Sequence, residues 1–269
     1  MSSRKNSRGK GRKLAVSVHS YKGGTGKTSV AANLSIYLGQ VGKRVLLVDM
    51  DFRAPSIQAL FGIRDDDVRA YINDYLFDKT EVKDVIIHPK QLDSPIDVIL
   101  ANSDPQSIDL ITLKFLTEQW QMSALGKISK LKGVALDELK YDYVVFDTSP
   151  GVAHSSVNAM VSSDKLLLLT RMDGPDLIGT EKLIKGFYRQ LQPLDPHIVV
   201  NFAYPSAITK EEDKDKMKRN LEKRLKYPVV TIIPCLCDVM LTKLDSLFIL
   251  KNPDHIYTQC IKEISKTQL

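Results

Sequence analysis

A glycine-rich segment near the start of the chain constrains the fold and the ligand more than any other feature of this sequence. The segment reads Lys22-Gly23-Gly24-Thr25-Gly26-Lys27-Thr28, with Ser29 directly after it. Glycines let the backbone turn so that several N–H groups converge, and such a nest binds phosphate oxygens. Lys27 supplies a cation for the phosphates, and the Thr28 hydroxyl can ligate Mg²⁺. The segment therefore predicts a nucleotide site with a magnesium ion.

The residues around this glycine loop indicate that it joins a strand to a helix. The apolar run from Leu14 to Val18 comes just before the loop and is typical of a buried strand. After the loop, apolar residues recur at spacings of three and four, as on one face of a helix: Val30, Leu34, Tyr37, Leu38 and Val41. Strand, glycine loop and helix N-terminus, in this order, form the context that a phosphate-binding loop requires.

Two further apolar runs end in aspartate residues. The run from Arg44 to Asp49 is predicted to form a parallel strand buried on both faces, and Asp51 follows two residues later. The run from Tyr141 to Asp147 is predicted to form another strand of this kind. A strand that delivers one aspartate to the top of a sheet is the arrangement that holds Mg²⁺ beside a nucleotide, usually through water.

The glycine loop departs from the general G-x-x-x-x-G-K-[ST] pattern, because Tyr21 stands at the first glycine position and a second lysine, Lys22, opens the loop. With this second lysine the loop resembles the deviant Walker A family of ATPases, the ParA/MinD group, whose loop reads K-G-G-x-G-K-[ST]. The resemblance implies that Lys22 crosses a dimer interface and contacts the phosphates bound by the partner subunit. The alternative is that Lys22 is a solvated loop lysine.

The resemblance implies roles for the two strand-end segments as well. Segment 49–56 corresponds to the family's switch I, where Asp51 orients or activates the attacking water and Asp49 lies near the Mg²⁺ shell. The alternative for both carboxylates is that they cap the next helix. Segment 147–151, which reads Asp-Thr-Ser-Pro-Gly, resembles switch II. There Gly151 would let the backbone move toward a γ-phosphate and release it after hydrolysis.

The base of the nucleotide is expected near two later strands. The run from His197 ends in Asn201, which the resemblance places against the adenine edge, and an amide has the donor and acceptor that adenine needs. The alternative for Asn201 is a simple turn residue. The next strand, Pro228 to Pro234, is followed by a loop that the resemblance places over the base.

These inferences together predict one site for ATP and Mg²⁺. Its catalytic residues are expected to be Lys22, Lys27 and Asp51. Its metal ligands are expected to be Thr28, Asp51 and Asp147. The residues expected to bind the nucleotide are Gly23, Gly24, Thr25, Gly26, Lys27, Thr28, Ser29, Asn201 and Pro234.

Length and pattern predict one α/β domain over residues 14–269. At 269 residues and 43% apolar composition, the chain can bury a large core. Alternating strands and helices imply a single doubly wound, mostly parallel β-sheet with helices on both faces, the P-loop fold of the deviant Walker A type. The stretch from 57 to 140 is predicted to be helical, including Ser107 to Trp120 and Ser123 to Leu139.

Residues 1–13 form a separate basic tail that we expect to be disordered. They carry six cations and no acidic residue, which equals the formal net charge of +6 of the whole chain. The remainder is therefore balanced in charge. Six cations can bind a polyanion, either non-specific DNA or an anionic membrane. The alternative is a solvated tail without a function.

The end of the chain and the cysteines bear on localisation. Residues 256–269 predict a helix with a narrow apolar stripe of Ile256, Cys260, Ile261 and Ile264, which favours packing on the core over membrane anchoring. Cys235, Cys237 and Cys260 suggest a reducing compartment rather than disulfides, and metal binding by them is disfavoured. The expected localisation is cytoplasmic, with association with the nucleoid or the membrane in the ATP state.

The function that these features favour is that of a slow ATP hydrolase, stimulated by an unidentified protein activator and dimerising on ATP. Its first expected role is the spatial organisation of DNA, as in ParA-like chromosome or plasmid partitioning. The alternative is MinD-like positioning that acts on a membrane or a protein partner. A metal-cluster assembly ATPase is less favoured, and a scaffold without activity is disfavoured by the intact Lys27, Thr28, Asp51 and Asp147.

Overall fold

The computed structural model describes residues 13–191, 194, 196–240 and 247–267, so that the predicted basic tail lies outside the described residues except for Lys13. These residues form one eight-stranded sheet of order β3-β4-β2-β5-β1-β6-β7-β8. Only β3 and β4 pair antiparallel within it. The strands are β1 Leu14–Ser20, β2 Val45–Met50, β3 Ile86–Ile87, β4 Ile96–Ile99, β5 Tyr143–Thr148, β6 Lys165–Arg171, β7 Pro196–Ala203 and β8 Val229–Pro234.

Helices cover both faces of the sheet. Because successive side chains of a strand point to opposite faces, Leu14 and Val16 of β1 join one apolar core and Ala15 joins another. The doubly wound, mostly parallel fold predicted from the sequence is confirmed. The α-helices are α1 Lys27–Gln40, α2 Ile57–Leu60, α3 Ile72–Leu76, α4 Pro105–Lys114, α5 Glu118–Gly133, α6 His154–Val161, α7 Gly174–Gly186, α8 Glu211–Leu225, α9 Cys237–Met240, α10 Phe248–Lys251 and α11 Ile256–Lys266.

The stretch from 57 to 140 is less helical than the sequence predicts. It contributes β3 and β4 to one edge of the sheet. All four residues of β4 pair with β2. Strands of two and four residues are too short to leave a periodic pattern. The two predicted helices exist as α4 and α5, but the break between them lies around Phe115, earlier than expected. Phe115 is buried, with its ring centroid 6.1 Å from that of Phe52, just after β2, so tertiary packing sets this break.

The helix predicted at the end of the chain packs on the core, as expected. In α11, Cys260, Ile261 and Ile264 are buried beside α1 and β8. Ile256 does not share their burial, since 46% of it is exposed, and Tyr257 is buried in its place. The three cysteines are free. Within the described ranges, every helix is too short or too polar to cross a membrane.

Candidate nucleotide-binding site

The glycine loop lies between β1 and α1, at the carboxyl ends of the central strands β1, β2 and β5. Gly24 has a φ of 71° and Gly26 a φ of 87°, a left-handed conformation that residues with a Cβ rarely adopt. A Cβ atom on Gly26 would also overlap the side-chain amide of Asn201. Position 26 thus requires glycine for two reasons: its backbone φ is left-handed, and Asn201 of β7 leaves no space for a side chain.

The two lysines of the loop lie in opposite environments. Lys27, the first residue of α1, is buried with 7% of its surface exposed, and burial lowers its pKa. The carboxylates of Asp147, Asp51 and Asp176 oppose that decrease and favour its charged form. Lys22 is exposed at the entrance of the loop. Lys27 therefore lies inside the site of its own loop, whereas Lys22 is exposed to solvent.

Asp147 is the residue that best fits the predicted metal. It ends β5 fully buried, and neither of its carboxylate oxygens has a hydrogen-bond partner among the described residues. Burial raises the pKa of Asp147 to about 7, although the neighbouring Thr28 hydroxyl and Lys27 ammonium act in the opposite direction. An unpaired buried carboxylate beside a hydroxyl is a donor set that suits Mg²⁺. Asp147 and Thr28 therefore fit the metal that the sequence predicts.

No three His, Cys, Asp or Glu side chains within the described ranges form a group that could hold a metal by themselves. Magnesium at Asp147 would accordingly need further oxygen ligands from phosphate and water.

Asp49 and Asp51 take different roles at the end of β2. The Oδ2 atom of Asp49 accepts hydrogen bonds from the backbone N–H groups of Ser56 and Ile57, both at 3.3 Å, at the start of α2. Asp49 thus caps the next helix, which was one of its two predicted roles. The Oδ1 atom of Asp51 accepts a hydrogen bond of 2.7 Å from the Ser149 hydroxyl. Asp51 therefore joins switch I to switch II, and its action on water remains a prediction.

Asn201 is in contact with the glycine loop as well as with the predicted base site. Its Nδ2 atom donates to the carbonyl oxygen of Thr25 at 2.9 Å, and its Oδ1 atom accepts from the N–H of Phe202. Phe202 has a φ of 56°, within an irregular stretch of the pairing between β7 and β8. The amide nitrogen and the amide oxygen of Asn201 can each make one further hydrogen bond. Recognition of adenine by Asn201 therefore remains a prediction.

A cavity of about 330 Å³ lies beside the loop and is lined mainly by apolar groups. Ser29 and Tyr257 form one wall of it, and their hydroxyl groups are 3.0 Å apart. Such a cavity suits a flat aromatic base. The predicted binding residues Gly24, Gly26, Ser29, Asn201 and Pro234 all line it.

His19 is a site residue that the sequence analysis did not select. It is fully buried in β1, and its Nδ1 atom lies 2.6 Å from Oγ1 of Thr148. Because the Thr148 hydroxyl donates to the carbonyl oxygen of Val18, His19 must be the donor in this pair. Burial and the Lys27 charge lower the pKa of His19 to about 3, so the imidazole is neutral. His19 thus contacts Thr148 of switch II. Because it is a lone histidine in an apolar strand, the sequence alone did not indicate this contact.

A nest of N–H groups at a helix N-terminus, a buried lysine within it and an unpaired buried aspartate at the end of the neighbouring strand define a P-loop nucleotide-binding protein. A family model described as an AAA domain matches residues 13–199. With the exposed lysine that opens the loop, and with the relatives described next, the chain belongs to the ParA/MinD family of P-loop ATPases.

Two curated relatives show the extent of the sequence similarity. The sporulation initiation inhibitor protein Soj of Bacillus subtilis is 30% identical over 174 residues, 63% of this chain and 62% of Soj. The virulence plasmid ParA family protein pGP5-D of Chlamydia trachomatis is 27% identical over 186 residues, 67% of this chain and 64% of the relative. The chain thus spans slightly less than two thirds of the length of these relatives.

Solved structures share the fold over nearly the whole chain. The septum site-determining protein MinD of Pyrococcus horikoshii, complexed with Mg-ADP, has a TM-score of 0.73 at 20% identity and covers 96% of this chain and 99% of its own. MinD in the MinC:MinD cell division protein complex of Aquifex aeolicus has a TM-score of 0.74 at 18% identity and covers 94% of both chains. At these identities the likeness establishes the fold alone.

Proposed function

We propose that this protein is a Mg·ATP-dependent ATPase switch that dimerises on ATP binding and organises DNA in space, in the manner of partitioning proteins. The hydrolysis is slow in the isolated protein and is stimulated by a protein activator. One observation carries the proposal: Lys27 is buried in its own loop while Lys22, five residues earlier, is exposed. A cation that does not serve its own site is available to a second copy of the chain.

Each described residue has a specific task in this proposal. The N–H groups from Gly24 to Lys27 and the Lys27 ammonium bind the phosphates. Thr28 and Asp147 would hold Mg²⁺, which would neutralise negative charge on the phosphates. Asp51 orients the attacking water, and its bond to Ser149 keeps it directed into the site. Lys22 completes the charge compensation in the partner's site, so turnover requires association.

The release step depends on the hydrogen bond between Asp51 and Ser149. This bond makes switch I and switch II move together. Gly151, with a φ of 73°, is the residue whose backbone accommodates the movement of switch II. Loss of the γ-phosphate removes the contacts that keep both segments ordered, and the two subunits then separate.

DNA organisation is proposed ahead of membrane positioning because of α11 and the curated relatives. Apart from the half-exposed Ile256, the apolar residues of α11 are buried against the core and are not available to a lipid surface. Soj and the Chlamydia ParA family protein are among the curated relatives with the strongest similarity. The six cations of residues 1–13 can bind either DNA or an anionic membrane and do not choose between the two roles.

Size-exclusion chromatography with light scattering tests this function. The full chain is run with the slowly hydrolysed analogue ATPγS or with ADP, together with non-specific duplex DNA, anionic vesicles or neither. We expect dimers with ATPγS only, and salt-sensitive binding of those dimers to DNA. Binding to vesicles without DNA binding would favour the membrane role. Monomers under every condition would refute the dimer switch.

The Lys22→Ala variant is the specific control. It should bind ATPγS like the wild type but neither dimerise nor turn over. Lys130→Ala removes an exposed lysine of α5 and serves as the matched control. Normal ATP-dependent dimers of Lys22→Ala would refute the action of Lys22 across the interface.

A further inference from the structure

The residue at the first glycine position of the loop, Tyr21, packs on a glycine of α7. A Cβ atom built on Gly179 would overlap three ring atoms of Tyr21, namely Cδ1, Cε1 and Cζ. The tyrosine ring therefore rests directly on the helix backbone at Gly179. Gly179 is itself buried, and 38% of Tyr21 remains exposed.

Gly179 lowers the stability of helix α7, and the contact with Tyr21 explains why a glycine stands there. Glycine in a helix interior is destabilising relative to alanine, because it loses more backbone freedom on folding. Gly179 lies in the middle of α7, which runs from Gly174 to Gly186, and its backbone angles are not those that require glycine. The space that the Tyr21 ring occupies is the feature of the structure that excludes a side chain there.

The segment from Ser20 to Lys22 is also hydrogen-bonded to switch II. The N–H of Gly151 donates to the carbonyl oxygen of Ser20 at 2.9 Å, and the Ser20 hydroxyl donates to the carbonyl oxygen of Lys22 at 2.6 Å. The backbone from Ser20 to Lys22 is thus fixed between switch II and α7. The Lys22 side chain, at the exposed end of this segment, projects from a rigid base.

A second residue of α7, Asp176, is buried near this contact. Asp176 lies three residues before Gly179, on the same face of the helix. It is buried, and its Oδ1 atom has no hydrogen-bond partner within the described ranges. Its other oxygen, Oδ2, accepts from the N–H of Arg171 at 2.7 Å. Burial raises the pKa of Asp176, and the hydrogen bond from Arg171 and the charge of Lys22 act in the opposite direction. Helix α7 therefore contributes a steric seat to this end of the loop.

We propose that Tyr21 is a positioning residue for Lys22: its ring, seated on Gly179, fixes the backbone so that the Lys22 ammonium points out of its own site and toward the partner's phosphates. This inference rests on the proposed function, because it assigns a purpose to a lysine that acts across the dimer. A ring that leaves Gly179 would free the segment, and Lys22 would lose its direction while the phosphate nest stays intact.

Gly179→Ala is the sharpest test because it changes neither the loop nor Lys22. The new methyl group displaces the Tyr21 ring, which is partly exposed and can turn into solvent, and alanine is the better helix former. We expect ATPγS affinity to stay within about twofold of wild type and ATPγS-dependent dimerisation to weaken by about tenfold. Tyr21→Ala should have the same effect, and Tyr21→Phe, which keeps the ring, should dimerise normally.

The double variant Tyr21→Ala/Gly179→Ala separates positioning from general damage. If both residues act through one contact, the double variant dimerises no worse than either single variant. Unchanged dimerisation of Gly179→Ala, or losses that add in the double variant, would overturn the inference. A wild-type protein that stays monomeric with ATPγS would refute the proposed function and this inference together, whereas wild-type dimers with unaffected variants would refute this inference alone.

Discussion

The side-chain amide of Asn201 donates a hydrogen bond of 2.9 Å to the carbonyl oxygen of Thr25, so the end of β7 supports the phosphate loop directly. The two residues are 176 positions apart in the chain. The same amide lies where a side chain on Gly26 would have to be. Asn201 therefore couples the shape of the phosphate nest to the wall of the cavity in which we expect the base.

The first prediction concerns this support of the loop. Asn201→Ala leaves the Thr25 carbonyl without its partner and opens space beneath Gly26. Since an unsatisfied buried acceptor costs about 1–3 kcal/mol, ATP affinity should fall by about tenfold or more. Isothermal titration with ATPγS measures this. Asn158→Ala is the matched control, because its buried amide donates to the Gln121 carbonyl of α5 at 3.2 Å and not to the glycine loop. Equal affinities for both variants would contradict the prediction.

The second prediction concerns the stability of the nucleotide-free protein at different pH values. Folding raises the pKa of Asp147 from 3.8 to about 7, so the folded state holds a proton that the unfolded state has lost between these values. Its contribution to stability is therefore greatest below pH 3.8 and decreases as pH rises toward 7. In Asp147→Asn this decrease disappears, with a change in slope of up to about 1.4 kcal/mol per pH unit.

Chemical denaturation of both proteins from pH 5 to pH 7.5 in the presence of EDTA measures that slope. In the same variant, Mg²⁺ should tighten nucleotide binding much less, because the buried, unpaired carboxylate that fits the metal best is lost. A variant that is less stable than wild type at pH 7 and responds to Mg²⁺ as strongly as wild type would contradict both assignments.

The third prediction separates binding from hydrolysis. Asp51→Ala should keep ATP affinity and dimerisation and lose about a hundredfold in turnover, because a positioned carboxylate acts mainly in the reacting state. The dimers formed with ATP should accordingly be long-lived. Single-turnover phosphate release and light scattering report the two properties. Asp104→Ala removes a carboxylate that caps α4 and should leave turnover unchanged. Wild-type turnover in Asp51→Ala would remove Asp51 from the catalytic site.

The fourth prediction concerns the last helix. Ile261 is fully buried in α11, so Ile261→Ala should lower the free energy of unfolding by about 2–5 kcal/mol. Ile256, at the start of the same helix, is largely exposed, and Ile256→Ala should cost about 0.5 kcal/mol or less. Urea denaturation measures both. Two similar, small effects would mean that α11 is not part of the core and would reopen the case for a surface-binding helix.

Local patterns sufficed for most of the fold and for the phosphate loop. Gly24, Gly26 and Lys27 are adjacent in sequence, and their geometry depends on the backbone conformations that glycine allows, so the motif carries its own structure. Strands β1, β2 and β5 are continuous apolar runs, which signal burial on both faces. The short strands β3 and β4 escaped prediction because their pairing with β2 and with each other depends on neighbours that a local window does not contain.

The sequence by itself determined that the chain forms a P-loop fold with its glycine loop, because the loop, its strand and its helix form a contiguous unit whose backbone geometry is local. Only the tertiary structure decided which polar groups support that unit. The capping of α2 by Asp49, the hydrogen bond of Asn201 to Thr25 and the seat of Tyr21 on Gly179 join residues from separate elements. Such contacts arise when helices and strands pack, and no spacing along the chain encodes them.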